Sequence, residues 1–452
     1  MIELAQAFRI GSNERIAVVG AGGKSTLVFQ LAHQFKSPVL AAATTHLSKA
    51  QLEYADRHIQ LDEKVSTETG IGPILPGITL FTGCSATDGR QTGLTMEQVE
   101  IIRQTSDIMH LPVIIEADGS RMLPLKAPGM NEPPIPQWVS LVIIVAGMSG
   151  LGKPLAEGFI HRPEVFSRLS GIAPGSPVTM EGLCRMLVHP EGGLKNIPPQ
   201  ARKIVLFNQA DSDEQQERVR QAADSLLGVY HGVVCASLNP ARCPGRPESL
   251  APEIHAVYES CAAILLAGGG SKRMGSPKQV LTYQNEPFVR GIARKALAAG
   301  YSPVILVSGA NAELIEAAVA DLPVRTVRNL NWATGQSTSI RLGLSQVSSR
   351  CGAALFLLAD QPQVPEDLLK QLRAQHAMGM PQILAPFVHG KRANPVLFDR
   401  SVFAAFDSLR GDEGGRKLFT QIPVDALDWP DESLLLDVDT NQDYQTLIRM
   451  TK

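Results

Sequence analysis

The chain has 452 residues, 44% of them hydrophobic, and 42 Lys and Arg against 44 Asp and Glu leave a formal charge of −2. That length accommodates two or three domains with full cores and excludes a disordered tail, a small disulfide scaffold or a fibre. The balanced charge offers no nucleic-acid surface or polybasic membrane anchor, and no apolar run approaches the ~20 residues of a bilayer span. Six scattered cysteines without a C-x-x-C pair read as reduced, buried thiols, and Glu3 and Arg9 interrupt the apolar stretch a secretory signal would need. The expectation is a soluble, cytoplasmic protein with neither nucleic-acid nor membrane partners.

In chain order, a short apolar strand at 16–20 runs into Gly20-Ala21-Gly22-Gly23-Lys24-Ser25-Thr26, and a helix follows at 24–35. Continuous apolar runs at 39–43, 113–115, 141–145 and 204–207 read as strands buried on both faces; 95–105 and 213–227 read as helices. Residues 239–252 hold four prolines (Pro240, Pro244, Pro247, Pro252) and little periodicity. That composition places a linker at 241–258. A second apolar strand at 262–267 then enters Gly268-Gly269-Gly270. Strands at 304–307, 353–358 and 383–385 alternate with helices at 288–299, 312–320, 337–347 and 366–377. Strands separated by helix-length segments predict two α/β domains, 1–240 and 259–452, each a mainly parallel sheet with helices on both faces. The first is P-loop-like, the second Rossmann-like. Ligands in such folds meet the carboxyl ends of the strands, where both glycine turns lie.

The second glycine turn reads Leu266-Ala267-Gly268-Gly269-Gly270-Ser271-Lys272-Arg273-Met274-Gly275-Ser276-Pro277-Lys278. Three glycines let the backbone approach an oxyanion and aim its N–H groups at it. Arg273 adds a forked donor and Lys278 a point charge. Arg273 stands where a dinucleotide fingerprint would need glycine, and Lys278 lacks the Walker lysine's flanking residues. Asp360, after the apolar run 353–358, and Asp437-Val438-Asp439-Thr440, after 434–436, read as carboxylates at two strand ends. Oxygen ligands beside a cationic phosphate loop suit Mg²⁺, with Asp360 and Asp439 as its ligands. The chemistry is nucleotidyl transfer with pyrophosphate as leaving group.

These residues, together with 335–344, the stretch Gly390–Phe398 containing Asn394-Pro395, and Gly411-Asp412-Glu413-Gly414-Gly415-Arg416, resemble the MobA/MocA-type nucleotidyltransferases across 262–450. The resemblance points to the branch that cytidylylates the molybdenum cofactor. It implies that Leu266, Ala267, Gly268–Gly275, Lys278, Ser337 and Ser339 bind CTP, and that Arg273, Lys278, Asp360 and Asp439 carry the catalysis. The terminal phosphate of molybdopterin would be the nucleophile. Ala267-Gly268-Gly269 is the reading of the guanylyl-transferring relatives, so GTP is the alternative nucleotide; a cofactor carrier without turnover is the non-enzymatic alternative.

In the first domain, Lys24 and the hydroxyls of Ser25 and Thr26 stand as in a phosphate-binding loop, although Val18 occupies the place of the first Walker glycine. Glu116 and Asp118 follow the apolar run 113–115 and could hold Mg²⁺ opposite Lys24. Asn208-Gln209-Ala210-Asp211 reads as a strand-end turn rather than a guanine reader, and His161 as structural. With Leu125-Lys126-Ala127-Pro128 and Glu132-Pro133-Pro134, this half resembles the YqeC-like family, accessory proteins of selenium-dependent hydroxylases. The resemblance implies ATP or GTP as a ligand of the first domain, a molybdenum hydroxylase apo-enzyme as partner, and one maturation pathway for both halves.

Overall fold

The computed structural model describes residues 2–62, 74–87, 89–239, 251–271 and 274–450, and the chain divides into two compact units, Met1–Tyr258 and Glu259–Lys452. In the first, strands β1 (Arg15–Gly20), β2 (Val39–Ala43), β3 (Arg57–Gln60), β4 (Ile78–Thr82), β5 (Val113–Glu116), β6 (Leu125–Lys126), β7 (Leu141–Gly147), β8 (Ile160–His161), β9 (Arg202–Asn208), β10 (Gly232–Ser237) and β11 (Glu253–Tyr258) follow one another. Nine of them form one sheet in the order β11-β10-β9-β7-β1-β5-β2-β4-β3, and β6 pairs with β8. Every pairing in the large sheet is parallel except β10 with β11. The continuous apolar runs explain this arrangement: β2, β4, β7 and β10 are buried at every residue, because helices pack on both faces of a parallel sheet.

Helix starts are written locally. Thr95 and Ser212 close capping boxes with Gln98 and Gln215, fixing the helices Met96–Met109 and Asp213–Leu227. The stretch expected as a linker, 241–258, is corrected over its last residues. Glu253–Tyr258 is an edge strand, held antiparallel to β10; residues 241–250 lie outside the described residues.

The second unit contains β12 (Ser260–Leu266), β13 (Thr282–Tyr283), β14 (Glu286–Pro287), β15 (Val304–Ser308), β16 (Val324–Arg328), β17 (Cys351–Leu358), β18 (Ile383–Val388), β19 (Lys391–Arg392), β20 (Val396–Asp399) and β21 (Asp425–Asp428). Its sheet runs β16-β15-β12-β17-β20-β18-β19, with β21 beside β18 and the β13–β14 pair apart from it. The half around β12 is parallel; β20 is antiparallel to both β17 and β18. Alternate β12 residues serve opposite faces. Ala263 and Leu265 join one buried cluster, Ala262 and Ile264 another, so both sides of the strand are covered. Among the described residues no helix is long and apolar enough to cross a membrane.

Candidate functional site

In the second unit, β12 lies between β15 and β17, where the order of the parallel strands reverses. The loop leaving it therefore emerges at the carboxyl edge, where ligands meet such sheets. Leu266 ends the strand; the Ala267 N–H donates to Val307 O (2.9 Å) and Gly268 O accepts from the Ala310 N–H (3.1 Å). Beyond them the loop wraps a buried amide that the sequence motif alone gave no role. Gln279 donates to Gly269 O (2.8 Å) and accepts from the Ser271 hydroxyl (3.2 Å), whose oxygen accepts from the Lys278 N–H (3.1 Å). The Met274 N–H donates to Ser271 O (3.0 Å), and Gly275 turns the chain at φ +68°. Lys272 and Arg273 lie outside the described residues.

Gly268 and Gly270 have different neighbours. A Cβ on Gly268 would lie 3.3 Å from Ser339 Oγ, itself held by Asn329 Nδ2 at 2.9 Å. A Cβ on Gly270 would lie 3.4 Å from the Trp332 ring. Ser339 thus stands under the loop, at the side of the helix Gln336–Ser345. Ser337 is fully buried, its N–H donating to Gly411 O (3.0 Å) and its hydroxyl without a partner.

Lys278 brings the two expected carboxylates together. Its Nζ donates to Asp360 Oδ2 (2.6 Å) and to Asp439 Oδ1 (2.8 Å). Burial works against the ammonium, yet the charges and hydrogen bonds of Asp360 and Asp439 outweigh it and hold the Lys278 pKa above the ordinary lysine value. Asp360 Oδ1 is buried with no hydrogen-bond partner. Asp437 stands close by, accepting from Gln361 Nε2 (2.5 Å); burial, then the charge of Asp360, raises its pKa.

Asp437 and Asp439 do not end a strand, contrary to the sequence expectation. They follow a 3₁₀ turn, Glu432–Leu435, and the helix Asn441–Met450 begins just after them. Side chains of the Asp360 turn position them instead. Gln363 Nε2 donates to Leu436 O (2.6 Å) and Ser433 O (3.1 Å), and the Val438 N–H donates to Asp360 O (3.3 Å). Lys295 Nζ pins the same turn through Pro362 O (2.7 Å) and Val364 O (2.9 Å). An orphaned carboxylate oxygen amid hard oxygen donors fits a Mg²⁺ ligand set. Among the described residues no group of three or more His, Cys, Asp or Glu is placed to hold a metal ion.

In the first unit, β1 lies between β5 and β7; β5 ends on Glu116, and β1 runs into the glycine turn. The glycine turn packs tightly there. The Ala21 N–H donates to Val145 O (2.8 Å), and Gly23, at φ +122°, leaves no room for a side chain because a Cβ would lie 2.4 Å from Asn208 Nδ2. Asn208 is the clamp: its Nδ2 donates to Gly22 O (2.6 Å) and its Oδ1 accepts from the Leu238 N–H (2.9 Å). The asparagine of the Asn208–Asp211 turn therefore orders the loop.

Lys24, only 3% exposed, folds back so that Nζ donates to Gly20 O (2.8 Å), with Asp118 at 3.5 Å and Glu116 at 3.8 Å. Ser25 Oγ donates to Glu116 Oε2 (2.7 Å) and accepts from Gln51 Nε2 (2.6 Å); Thr26 is exposed. Burial raises the Glu116 pKa despite Lys24 and Ser25. Lys126 joins Asp118 (2.8 Å) to Glu132 (2.8 Å), and Arg162 grips Glu132 with both terminal nitrogens at 2.7 and 2.8 Å. Burial opposes ionisation of Glu132, but these hydrogen bonds and charges bring its pKa down to about 2. Burial and then Arg162 lower the His161 pKa, favouring the neutral ring. Three cations and three carboxylates thus balance in one chain of contacts. The Lys126–Glu132–Arg162 part of it drew no chemical argument from sequence.

Comparison with known proteins divides at the same place. The family model described as the MobA-like NTP transferase domain matches residues 263–426, and that described as YqeC protein matches 16–164. The uncharacterized protein YqeC of Escherichia coli (strain K12) is 31% identical over 207 residues, covering 44% of this chain and 78% of its own. Nicotine blue oxidoreductase of Paenarthrobacter nicotinovorans is 31% identical over 200 residues, and purine catabolism protein PucB of Bacillus subtilis (strain 168) 29% over 199. Each covers 41% of this chain and 95% of its own length. Among solved structures, Rv0371c from Mycobacterium tuberculosis H37Rv aligns at 30% identity with a TM-score of 0.39, covering 42% of this chain and 98% of its own.

Proposed function

Because the chain belongs to the YqeC family through its first unit and to the MobA-like NTP transferases through its second, we propose that residues 259–452 transfer CMP from CTP to the terminal phosphate of molybdopterin. The observation that carries the reading is Lys278 held between Asp360 and Asp439 beside the Gly268–Gly270 loop. The acceptor phosphate attacks the α-phosphorus, the bond between the α-phosphorus and its bridging oxygen breaks, and pyrophosphate leaves. The protein supplies no nucleophile, so its work is positioning and charge compensation. The Gly268–Gly270 backbone offers N–H donors to the triphosphate. Lys278 turns from its carboxylates to the phosphate oxygens; Asp360 and Asp439 are the residues that would hold Mg²⁺, which would supply further charge compensation there. Gln279 keeps the loop open to the nucleotide, and Gln361 and Gln363 keep the second carboxylate segment in reach.

Guanylyl transfer is the second reading, favoured by one observation: Gly268 stands where the cytidylyl branch carries alanine, with its missing methyl facing Ser339. Pyrophosphate release in the presence of molybdopterin, compared between CTP and GTP, decides the nucleotide. The relative named as an oxidoreductase sets the rival outcome: turnover with a nicotinamide dinucleotide and no pyrophosphate release refutes transfer.

For the first unit the reading is a Mg²⁺-dependent purine nucleoside triphosphate site at Gly20–Thr26, serving maturation of a molybdenum hydroxylase. Its support is the Gln51–Ser25–Glu116 relay beside Lys24. Lys24→Ala in the full chain should abolish ATP or GTP binding in calorimetry while leaving pyrophosphate release from CTP intact. No heat with either purine nucleotide in the wild type refutes the site.

A further inference from the structure

Where β9 and β10 end in the first unit, three polar side chains meet in a line beside the glycine turn. Leu238, just past β10, is stapled to the helix Lys24–Ala32 that the turn opens: its O accepts from Gln30 Nε2 (2.7 Å). Its N–H donates to Asn208 Oδ1 (2.9 Å), the residue that also holds Gly22 O. One position earlier, the buried Ser237 hydroxyl donates to Asp211 Oδ1 (2.6 Å). A hydroxyl has one proton to give, so His255 Nε2, 3.0 Å from the same oxygen, is the donor to it.

His255 reaches Ser237 because β11 is bulged there. Cys235 pairs with Ala256 and Ala236 with Ile254, which leaves His255 as the extra residue, and a bulge re-aims the side chain it carries. The other end of the relay is open: Asp211 is exposed, and its Oδ2 has no partner among the described residues. The backbone under the carboxylate is fixed, since the Ala210 N–H donates to Ala236 O (3.2 Å) and Ala210 O accepts from Gln216 Nε2 (3.2 Å). Gln209, between Asn208 and Ala210, is engaged by the Ser149 hydroxyl (2.6 Å). An oriented carboxylate can only accept. It suits a ring edge that presents two adjacent N–H groups, as guanine does with N1 and its 2-amino group. Adenine turns a lone pair toward it at N1 and is rejected, since the carboxylate would be left unpaired.

We propose that Asp211, oriented by Ser237 and His255, reads the base in the first unit, and that the ligand there is a guanine nucleotide rather than an adenine one. The assignment rests on the phosphate-site reading at Gly20–Thr26, which leaves the purine open, and it names the substrate class of that site. Asp211 touches the base; Ser237 and His255 are positioning residues that act through it. From sequence, 208–211 reads as a plain strand-end turn, because the groups that aim Asp211 come from β10 and from the bulge in β11.

The test titrates the full chain in calorimetry with the Mg²⁺ complexes of GTP, ITP, ATP and XTP, and the heat that Lys24→Ala abolishes is assigned to the first unit. GTP should bind about a hundredfold more tightly than ATP, and ITP, which lacks the 2-amino group, about tenfold less tightly than GTP, the step expected of one hydrogen bond to a charged group. Asp211→Asn should change the order: its amide N–H₂ suits the 2-oxo group of xanthine, so XTP gains while GTP loses, and the gain itself shows that the variant is folded. Ser237→Ala and His255→Leu should each lower the preference for GTP over ATP several-fold, and His255→Gln, which keeps a side-chain donor, should recover part of it. A merely structural role would weaken GTP and ATP alike, and that result removes both as positioning residues. ATP bound as tightly as GTP in the wild type, both through Lys24, overturns the base reader and leaves the phosphate site standing. An Asp211→Asn variant that keeps the wild-type order of nucleotides overturns it as well. No Lys24-dependent heat with any of the four nucleotides removes the phosphate site and the base reader together.

Discussion

Replacing Lys278 by methionine removes an ammonium and leaves its two carboxylates facing each other across the vacated space. Each charge-assisted hydrogen bond contributes about 1.5–3 kcal/mol where water is excluded. The bond to Asp360 is counted near the upper end, since that side chain is 21% exposed; the bond to Asp439, 45% exposed, is discounted to well under 1 kcal/mol. Repulsion among Asp360, Asp437 and Asp439 adds to the loss, for a total of about 2–4 kcal/mol at neutral pH. For a domain of this size that lowers the melting temperature by about 5–15 °C. Scanning calorimetry in EDTA, with the second-unit transition identified by its shift on adding CTP, measures the drop. Mg²⁺ at about a hundred times its dissociation constant should then restore about 2.7 kcal/mol to the variant, and hardly move the wild type, whose own ammonium fills the place. A variant that melts like the wild type in EDTA, or that ignores Mg²⁺, refutes the assignment of these carboxylates as a cation site.

Asp360→Asn and Asp439→Asn should each cut turnover by orders of magnitude with far-UV circular dichroism unchanged; near-normal turnover in both removes the catalytic assignment. Gly268→Ala meets Ser339 Oγ at 3.3 Å, a contact that a small shift relieves, so the variant should fold normally and keep or sharpen its preference for CTP over GTP. A wild type that already prefers GTP reverses the choice of branch. Glu132 has a depressed carboxyl pKa, so its pairing stabilises the fold fully above the ordinary value of 4.5, and that stability is lost as pH falls toward about 2. Glu132→Gln should therefore cost about 1–2 kcal/mol at pH 7, the size of that shift discounted for the pair's partial exposure, with the difference from wild type closing across the acid window. Urea titrations at several pH values measure it, and a constant difference contradicts the pairing.

The central strands were legible because burial on both faces leaves no polar residue in the run: 39–43 and 141–145 read directly as strands. The edges were not. Arg57–Gln60 and Val324–Arg328 are half-exposed and mostly polar or alternating, a pattern shared with loops. Glu253–Tyr258 was absorbed into a linker by the prolines before it. At the site, Lys278, Asp360 and Asp439 were each singled out by residue type and motif, but their meeting depends on Gln363 reaching Leu436 and Ser433 across the fold, which no local pattern encodes. Asn208 reads as part of a strand-end turn, but its hold on Gly22 is not legible, because the donor that the backbone oxygen of a tightly packed turn needs comes from a strand distant in sequence.

The edge strand β11 determines where the polypeptide can be cut. It ends at Tyr258, and β12 begins at Ser260, so a single residue separates the last strand of one sheet from the first strand of the next. A fragment stopped at residue 240 loses β11 and bares the outer hydrogen-bonding edge of β10, every residue of which is buried in the intact protein. Such an edge is a template for pairing with a second chain. Fragments ending near 240 should therefore precipitate or form ladders of oligomers, whereas those ending at 258 keep a covered sheet and are the ones suited to separate expression of the first unit.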